Sequence, residues 1–265
     1  MPKNLLNNLK IFERFKNDKK TVIITDVDGT ISEIAPTPQK AFVSYSMKEI
    51  LTGLSKKFQM VAVVSGRPVE DVKRMIGIER LLYVGNHGME YMKNGQIQVE
   101  EDTKRYIQRI NEAACKIKEE ESCNAEGVLL EDKGLCFSIH YRLCKDPNTR
   151  KILLDTIKDM EELKGLQIKE GRKVIEIRPP TGYDKGKILE RIVKDHDVKR
   201  VMYLGDDVTD SDAFRKMNEL KTHGKLDGES IIILSGEIPS RIKKEASYFL
   251  ESVDDVLKFF EWLLD

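Results

Sequence analysis

Two carboxylates stand one residue apart where an apolar run ends. The run is "TVIIT" (residues 21–25), and the "DVDGT" that follows places Asp26 and Asp28 on either side of one valine. Two anions this close repel each other, so a chain that holds them at a strand end needs a charge to offset the repulsion. Asp206 and Asp207 follow a second apolar run, "RVMYLG". Carboxylate oxygens of this kind bind Mg²⁺ together with water and phosphate oxygens. The sequence therefore predicts a magnesium site formed by the pair Asp26 and Asp28 with Asp206 and Asp207 as third and fourth carboxylates.

A cation here would allow one anion to attack another. A phosphate monoester is a dianion at neutral pH, and Mg²⁺ with a lysine neutralises the transferred group. Asp26 is then expected to attack phosphorus and form an aspartyl-phosphate. Asp28 is expected to protonate the leaving oxygen and later to activate water. The candidate phosphate ligands are Ser65, the backbone N–H at Gly66, and Lys185, which starts a helix after "PPTGYD".

Each of these residues also has a purely structural interpretation. The structural alternatives are an ordinary turn at Asp28-Gly29, a helix start at Ser65 with Pro68, a helix N-cap at Asp210 or Ser211, a tight turn at His87, and a solvated helix residue at Lys185. Any one of them is reasonable alone. The occurrence of all the catalytic residue types in one chain order favours catalysis.

The elements that must position these residues are short apolar runs rich in β-branched residues. Five runs are near-continuously apolar, which is typical of strands buried on both faces: 21–25, 60–64, 81–85, 200–205 and 230–234. Helical patterns separate several of them: 47–57, 68–76, 185–195 and 210–219. This alternation predicts an α/β fold with a doubly wound parallel sheet, in which the polar residues after each strand meet at one edge. Ser235-Gly236 ends the fifth run and is expected at the same edge.

The middle of the chain has a different pattern. Between about Thr103 and Arg178 two amphipathic helical stretches alternate with two hairpins, which turn at Asp132-Lys133-Gly134 and at Gly171. We therefore predict an inserted α+β cap domain at 105–179 and a core domain formed by 1–104 and 180–265. One face of the cap sheet is expected to pack on its helices, and the other to lie over the opening of the core. Hinges are predicted near Thr103 and at Pro179-Pro180.

Composition narrows the functional classes. Lys and Arg total 45 and Asp and Glu total 45, so no overall basic field favours nucleic acid as a partner. No apolar run approaches membrane-spanning length, and the charged first twenty residues, in which we expect a helix, are not expected to act as a signal peptide. The four cysteines form no Cys-x-x-Cys pair, which favours reduced thiols and a cytoplasmic location. A monomer is our working expectation.

The motifs resemble those of a known superfamily. "DVDGT", "VVSGR", "DKG" and "GDDVTD" are similar, in order and spacing, to the four motifs of the haloacid dehalogenase-like (HAD) phosphatases. "SGRPVEDV", "YVGNHGMEY", "EDKGLCFSIHYR", "KVIEIRPPTGYDKG" and "GDDVTDSDAF" resemble the trehalose-6-phosphate phosphatase family in particular. The resemblance implies a Rossmann-like HAD core with an α/β cap. It also implies Mg²⁺-dependent hydrolysis of trehalose 6-phosphate to trehalose and phosphate.

Residue roles follow from the same resemblance. Asp26 would be the nucleophile and Asp28 the general acid/base, and the metal would be held by Asp26, the Asp28 carbonyl and Asp206. The supporting residues would be Thr30, Asp207 and Asp210. The candidate substrate-binding residues are Arg67, His87, Glu131, Lys133, His140, Arg142 and Glu176, among which the resemblance favours Lys133 and Glu176 as ligands of the sugar hydroxyls. The structural alternatives are a cross-strand surface ion pair for Lys133 and Glu176 and a solvated strand face for His140 and Arg142.

Two departures from the family pattern leave the substrate open. Val27 replaces the usual aromatic residue between the two aspartates, and Ser211 stands where glutamate is usual. Another sugar phosphate, such as sucrose phosphate or glucosylglycerol phosphate, and a sugar phosphomutase activity are therefore alternatives. Two alternatives without catalysis are a signalling receiver module and a sugar-binding regulator.

Overall fold

The computed structural model describes residues 2–234 and 240–265, with no side-chain description for residues 240 and 241. The predicted contribution of Ser235-Gly236 therefore lies outside the described residues. The chain divides into two compact units: the first comprises Met1–Gln98 and Tyr183–Asp265, and the second Val99–Gly182. The domain limits that we expect from the sequence, with a cap at 105–179, stay a prediction.

Thirteen strands and ten helices are assigned among the described residues. The strands are β1 (Lys3–Asn4), β2 (Thr21–Thr25), β3 (Met60–Val64), β4 (Leu82–Gly85), β5 (Glu90–Lys93), β6 (Gln96–Val99), β7 (Leu129–Asp132), β8 (Phe137–His140), β9 (Gln167–Gly171), β10 (Val174–Arg178), β11 (Arg200–Gly205), β12 (Asp227–Ile233) and β13 (Tyr248–Leu250). The helices are α1 (Leu9–Lys16), α2 (Tyr45–Lys57), α3 (Val69–Ile76), α4 (Glu101–Lys104), α5 (Ile107–Glu119), α6 (Thr149–Ile157), α7 (Lys185–Asp195), α8 (Asp210–Thr222), α9 (Ser240–Lys243) and α10 (Val253–Leu264).

The first unit is built on one mixed sheet with the strand order β1-β13-β12-β11-β2-β3-β4-β5-β6. Strands β11, β2, β3 and β4 are parallel neighbours, and Leu204 of β11 is in register with Thr25 of β2. Every residue of β2 is buried, as its unbroken apolar pattern predicts. The parallel order brings the carboxyl ends of these four strands to one edge of the sheet.

Helices cover both faces of this sheet, which confirms the doubly wound α/β prediction. Ile23 of β2 packs into a cluster with residues of α1, α2, α3 and α10. Its neighbours Val22 and Ile24 point to the opposite face and pack with residues of α7 and α8. Because successive side chains of a strand alternate between faces, one continuous apolar run supplies both cores.

The second unit is an open-faced α+β sandwich, as predicted. Its antiparallel sheet has the order β7-β8-β10-β9. Phe137, Ile139, Ile175 and Ile177 are buried together with residues of α5 and α6. The alternate residues Glu131, Ser138 and Glu176 are cross-strand neighbours and therefore share the other face.

Several elements are not anticipated by the apolar pattern. Strands β5 and β6 form a polar hairpin that turns at Asn94-Gly95, and the short strand β13 is followed by α10. The first of the two amphipathic helical stretches predicted after Thr103 is divided between α4 and α5. No helix of the described residues combines the length and the apolarity that crossing a bilayer requires.

Candidate active site

The two acidic loops lie side by side at the carboxyl edge of the sheet. The backbone N–H of Asp26 donates to the carbonyl of Leu204 over 2.9 Å, so the end of β2 is joined to the end of β11. Gly29 has φ +79°, and a Cβ placed on it would lie 2.1 Å from Oδ2 of Asp206. Only glycine allows both this backbone conformation and this approach. Gly29 therefore permits the carboxylate of Asp206 to lie against the loop that carries Asp26.

Three carboxylates form one buried cluster. Asp26, Asp206 and Asp210 each offer an oxygen atom, and these atoms lie within 4.8 Å of one another. The exposed fractions are 6% for Asp26, 2% for Asp206 and 0% for Asp210. Asp26 and Asp206 are thus close enough to share one cation, as the sequence analysis expects. Asp210 is the member of the cluster that we expected only to support the ligands.

Lys185 supplies a positive charge to this cluster. Its Nζ lies 2.7 Å from Oδ1 of Asp210 and 3.1 Å from Oδ1 of Asp26, and the side chain is 2% exposed. Helix α7 places it there, because Asp184 caps the helix by accepting a hydrogen bond from the N–H of Lys187. Burial lowers the pKa of Lys185, but Asp210 and Asp26 outweigh this effect, so that the pKa lies above its ordinary value and the amine is charged.

Asp210 is a structural acceptor. Besides Lys185, Oδ1 accepts a hydrogen bond from the Tyr203 hydroxyl over 2.8 Å, and Oδ2 accepts the backbone N–H groups of Asp206 and Asp207. The structural alternative of a helix N-cap at Asp210 or Ser211 is wrong. Helix α8 begins at Asp210 with Thr209 in the N-cap position, and the Asp210 side chain turns back to the preceding loop. Asp210 thus fixes the loop that carries Asp206.

The environment of Asp26 makes its charged form less favourable than in water. Burial raises the pKa of Asp26 to about 7, Lys185 opposes this shift, and Asp210 and Asp28 add to it. Two of the three carboxylates in this buried cluster share the ammonium group of Lys185. A divalent cation would balance the remaining negative charge, so the donor set fits a hard metal ion with oxygen ligands.

The side chain of Asp28 takes part in a different interaction. Arg67 donates from Nε to Oδ2 over 2.6 Å and from Nη2 to Oδ1 over 2.8 Å, and its Nη1 donates to the carbonyl of Pro38. The sequence shows that Asp28 follows Asp26 closely, but it gives no sign of the bidentate pair between Arg67 and Asp28. Asp28 is 36% exposed at its side chain, so it is accessible to a substrate.

The predicted phosphate-binding residues lie at the end of β3. Ser65 is 1% exposed, and its Oγ accepts the backbone N–H of Arg67 over 3.1 Å. A Cβ on Gly66 would lie 2.5 Å from Cε1 of His87, so the imidazole of His87 covers this glycine.

The predicted supporting residues lie in the two acidic loops. Thr30 is fully buried, and its Oγ1 has no hydrogen-bond partner among the described residues. Asp207 accepts the N–H of Val208 at Oδ1.

The turn that carries His87 depends on a glutamate that the sequence analysis overlooks. Asn86 and His87 have φ values of 47° and 57°, a conformation that residues with a Cβ rarely adopt. Oε1 of the buried Glu90 accepts the side-chain amide of Asn86 over 2.9 Å and the backbone N–H of Val69 over 2.7 Å. Glu90 therefore links this turn to the start of α3. The tight turn expected at His87 is present, and its role toward substrate stays a prediction.

The predicted sugar-binding residues of the second unit form their own polar network. Lys133 Nζ lies 2.8 Å from Oε1 of Glu176, and His140 Nε2 lies 2.7 Å from Oε2 of Glu131. The side chains of Lys133 and Glu176 are 6% and 7% exposed, so the alternative of a surface ion pair is wrong. Burial lowers the pKa of Lys133, but Glu176 and other neighbours outweigh it and hold the pKa above its ordinary value.

Two further residues complete this network. Ser138 donates to Oε1 of Glu176 over 3.2 Å, and Arg178 pairs with Oε2. Arg178 is not among the residues predicted from the sequence. The strand alternation places it on the same face as Glu176, and this is the signal by which the sequence could have identified it. Arg142 follows β8 and donates to the carbonyl of Arg172 over 3.0 Å.

Comparison with known proteins gives one consistent family. The model of the trehalose-phosphatase family matches residues 24–254. The "Probable trehalose-phosphate phosphatase E" of Arabidopsis thaliana is 32% identical over 277 residues, which cover 97% of this chain and 74% of that protein. The trehalose-6-phosphate phosphatase C-terminal domain of C. albicans has a TM-score of 0.82 at 20% identity and covers 100% of this chain and 99% of that chain.

A more distant likeness agrees on the fold. A haloacid dehalogenase-like hydrolase from Bacteroides thetaiotaomicron has a TM-score of 0.62 at 15% identity, covering 91% of this chain and 98% of that chain. At this identity the likeness concerns the fold alone. It agrees with the α/β fold that the sequence predicts.

Proposed function

Because the chain belongs to the trehalose-phosphatase family, we infer that it hydrolyses trehalose 6-phosphate to trehalose and phosphate through an aspartyl-phosphate on Asp26. The observation that carries this mechanism is the buried cluster in which Asp26 lies beside Asp206 and within 3.1 Å of Lys185. The receiver-module and sugar-binding-regulator alternatives are wrong, since the family is one of phosphatases.

The proposed reaction has two steps, both carried by the loop after β2. A carboxylate oxygen of Asp26 attacks phosphorus, and the bond between phosphorus and the sugar oxygen breaks. Asp28 gives its proton to the leaving oxygen. In the second step Asp28 takes a proton from water, the oxygen of that water attacks phosphorus, and the Asp26–phosphate bond breaks. Inorganic phosphate is released and both carboxyl groups return to their starting states.

The neighbouring residues hold the charges in place. Lys185 offsets negative charge on Asp26 and on the phosphoryl oxygens, and Asp210 fixes its ammonium group over 2.7 Å. Ser65 and the N–H at Gly66 are the proposed phosphate ligands. The buried Oγ1 of Thr30 supports a polar ligand near this loop, because a hydroxyl without a partner is costly in a protein interior.

We propose that the divalent ion is Mg²⁺. When bound, it would neutralise the carboxylate cluster and the phosphoryl oxygens during transfer. Asp26 and Asp206 would hold it with their side chains, and Asp28 with its backbone carbonyl, which leaves the Asp28 side chain for proton transfer. Asp210 has its oxygens engaged by Lys185, Tyr203 and the loop N–H groups, so we do not assign it as a ligand.

We further propose that the second unit selects the sugar. Lys133 and Glu176 are the proposed ligands of its hydroxyls, since a buried ammonium donates and a buried carboxylate accepts. His87, Arg67, Glu131, His140 and Arg142 are the other proposed contacts. A cytoplasmic location and a monomeric state stay predictions from composition.

The test is a substrate panel with phosphate release as the measurement. Trehalose 6-phosphate, sucrose 6-phosphate and glucosylglycerol phosphate are compared in the presence of Mg²⁺, with Asp26→Asn as the inactive control. We expect trehalose 6-phosphate to have the highest kcat/KM and Asp26→Asn to lose turnover while keeping its fold by circular dichroism. A preference for another ester would replace the substrate, and substantial turnover by pure Asp26→Asn would contradict the mechanism.

A further inference from the structure

A cavity of about 460 Å³ opens in the first unit between helix α7 and strands β4 and β5. Its inner wall is apolar and is formed by Leu82, Val84, Ile188 and Ile192, the last three of which are buried. Sites for small molecules have volumes of roughly 300–1,000 Å³ and mostly apolar walls. None of the three clustered carboxylates lines it. We call this space the α7 cavity.

The rim of the α7 cavity combines aromatic rings with positive charge. Tyr91 and Tyr183 line it, and Lys93, Lys187 and Arg191 stand at its edge. The guanidinium of Arg191 lies 4.7 Å from the centre of the Tyr91 ring. Aromatic faces favour a flat apolar ligand, and the three cations favour an anionic group on it.

The rim of the α7 cavity carries fewer negatively charged side chains than positively charged ones. Asp195 is the carboxylate among the described lining residues, and its Oδ2 lies 3.5 Å from Nε of Arg191. Lys93 and Lys187 make no ion pair with any residue that the structure describes. An anion at the rim would therefore meet uncompensated charge.

The floor of the α7 cavity touches two elements of the active site. Gly88, which lines the cavity, follows His87 directly, and a Cβ on Gly88 would lie 2.6 Å from Cδ1 of Ile188. Ile188 lies one helical turn after Lys185 on α7. A molecule in the cavity thus contacts both the turn that carries His87 and the helix that carries Lys185.

We propose that the α7 cavity binds a small aromatic anion and that its occupancy alters phosphatase turnover through Gly88 and Ile188. The lining offers no nucleophile paired with a base, so the site binds without catalysing. The effect on turnover rests on the proposed function, whereas binding itself does not.

Binding is tested by isothermal titration calorimetry with naphthalene-2-sulfonate as the probe. Lys187→Glu reverses a rim charge, Leu82→Trp adds volume to the inner wall on the α7 face, and Lys194→Glu is the matched control, because Lys194 is exposed on the same helix and does not line the cavity. We expect saturable one-site binding that weakens about tenfold in the first two variants and stays within about twofold in the control. Neutral 2-naphthalenemethanol is expected to bind more weakly than the sulfonate.

Two binding results would overturn the proposal. One is the lack of saturable binding to the unchanged protein, and the other is equal affinity in all three variants. Leu82→Trp tests the same point by volume that Lys187→Glu tests by charge, so a folding defect in one leaves the other decisive.

Turnover is measured on the same proteins with trehalose 6-phosphate, because an aromatic phosphate ester could itself enter the cavity. Saturating naphthalene-2-sulfonate is expected to change kcat or KM by about twofold or more in the unchanged protein and not in Leu82→Trp. Binding without any such change would overturn the regulatory role. If every sugar phosphate tested is left intact, the proposed function fails while the binding result still stands by itself.

Discussion

Arg67 holds both side-chain oxygens of Asp28, through Nε over 2.6 Å and Nη2 over 2.8 Å. A bidentate guanidinium–carboxylate pair fixes the plane of the carboxyl group as well as its position. Asp28 must nevertheless carry a proton to the leaving oxygen in the proposed mechanism. One of its oxygens therefore has to exchange Arg67 for the substrate during each turnover.

Removing this pair should slow the chemical step. In Arg67→Gln the carboxyl group of Asp28 loses its orientation, and we expect kcat to fall about tenfold or more, since a positioned general acid contributes roughly 10²–10⁴-fold to a rate. Arg74→Gln is the control, since Arg74 is 73% exposed and pairs with its helix neighbour Asp71. Unchanged kcat in Arg67→Gln would show that the pair has no part in proton transfer.

Chelation should remove activity, and added Mg²⁺ should restore it. A readout apart from activity is the melting temperature, which we expect Mg²⁺ to raise because the ion binds the folded cluster and relieves the repulsion between Asp26 and Asp206. In Asp206→Asn this rise should be much smaller. Asp254→Asn, at an exposed position of α10, should respond like the unchanged protein. An equal Mg²⁺ response in Asp206→Asn would place the metal elsewhere.

Glu90 should make stability depend on pH in a defined direction. Burial raises the pKa of Glu90 above its ordinary value of 4.5, so the folded protein keeps this proton where the unfolded chain has lost it. The contribution of Glu90 to the free energy of unfolding is therefore complete below pH 4.5 and falls as the pH rises through the raised pKa. Glu90→Gln keeps the acceptor oxygen and removes the charge, so its stability relative to the unchanged protein should increase from pH 4 to pH 8.

Urea denaturation at several pH values measures this difference. Glu251→Gln is the control, because Glu251 is exposed and its substitution should give a nearly constant difference. Glu90→Ala should cost about 1–3 kcal/mol below pH 4.5 and less as the pH rises, since the N–H of Val69 and the amide of Asn86 lose their acceptor. A stability difference for Glu90→Gln that does not change with pH would contradict the assigned direction.

Substitution of Glu176 should slow the hydrolysis of the sugar ester and leave the hydrolysis of a small ester nearly unchanged. We expect Glu176→Gln to lower kcat/KM for trehalose 6-phosphate by about tenfold or more, because the sugar hydroxyls lose the charged carboxylate that accepts their hydrogen bonds. Hydrolysis of p-nitrophenyl phosphate, which has no sugar, should change by less than about twofold. Glu170→Gln is the matched control, because Glu170 lies on the neighbouring strand and pairs with the exposed Arg150. Equal losses on both esters would remove Glu176 from the sugar site.

The sequence predicts those parts of the site that follow from strand order. Asp26, Ser65 and Asp206 each come directly after an apolar run, so parallel pairing is enough to bring them together. The same alternation argument places Glu131 and Glu176 on one face of the second sheet. These predictions require only the order of the parallel strands and the alternation of side chains along each strand.

The parts that sequence reasoning misses depend on side-chain direction. The pairing of Arg67 with Asp28 and the inward turn of Asp210 are choices among rotamers, which residue spacing does not determine. Glu90 lies at the start of β5, a half-polar strand, and nothing in its neighbours indicates that its carboxylate is buried under two donors. Strand β13 has three residues and follows a polar stretch, so the apolar pattern does not reveal this largely buried strand.

The pairing of β2 with β11 has a consequence for how the chain is made. Thr25 and Leu204 are register partners, yet the whole of the second unit is synthesised between them. On the ribosome, β2 can pair with β3, which in turn pairs with β4, but the other edge of β2 stays open until residue 205 has emerged. An apolar strand with an open edge is prone to self-association. The nascent polypeptide is therefore most vulnerable to aggregation during elongation through residues 99–182.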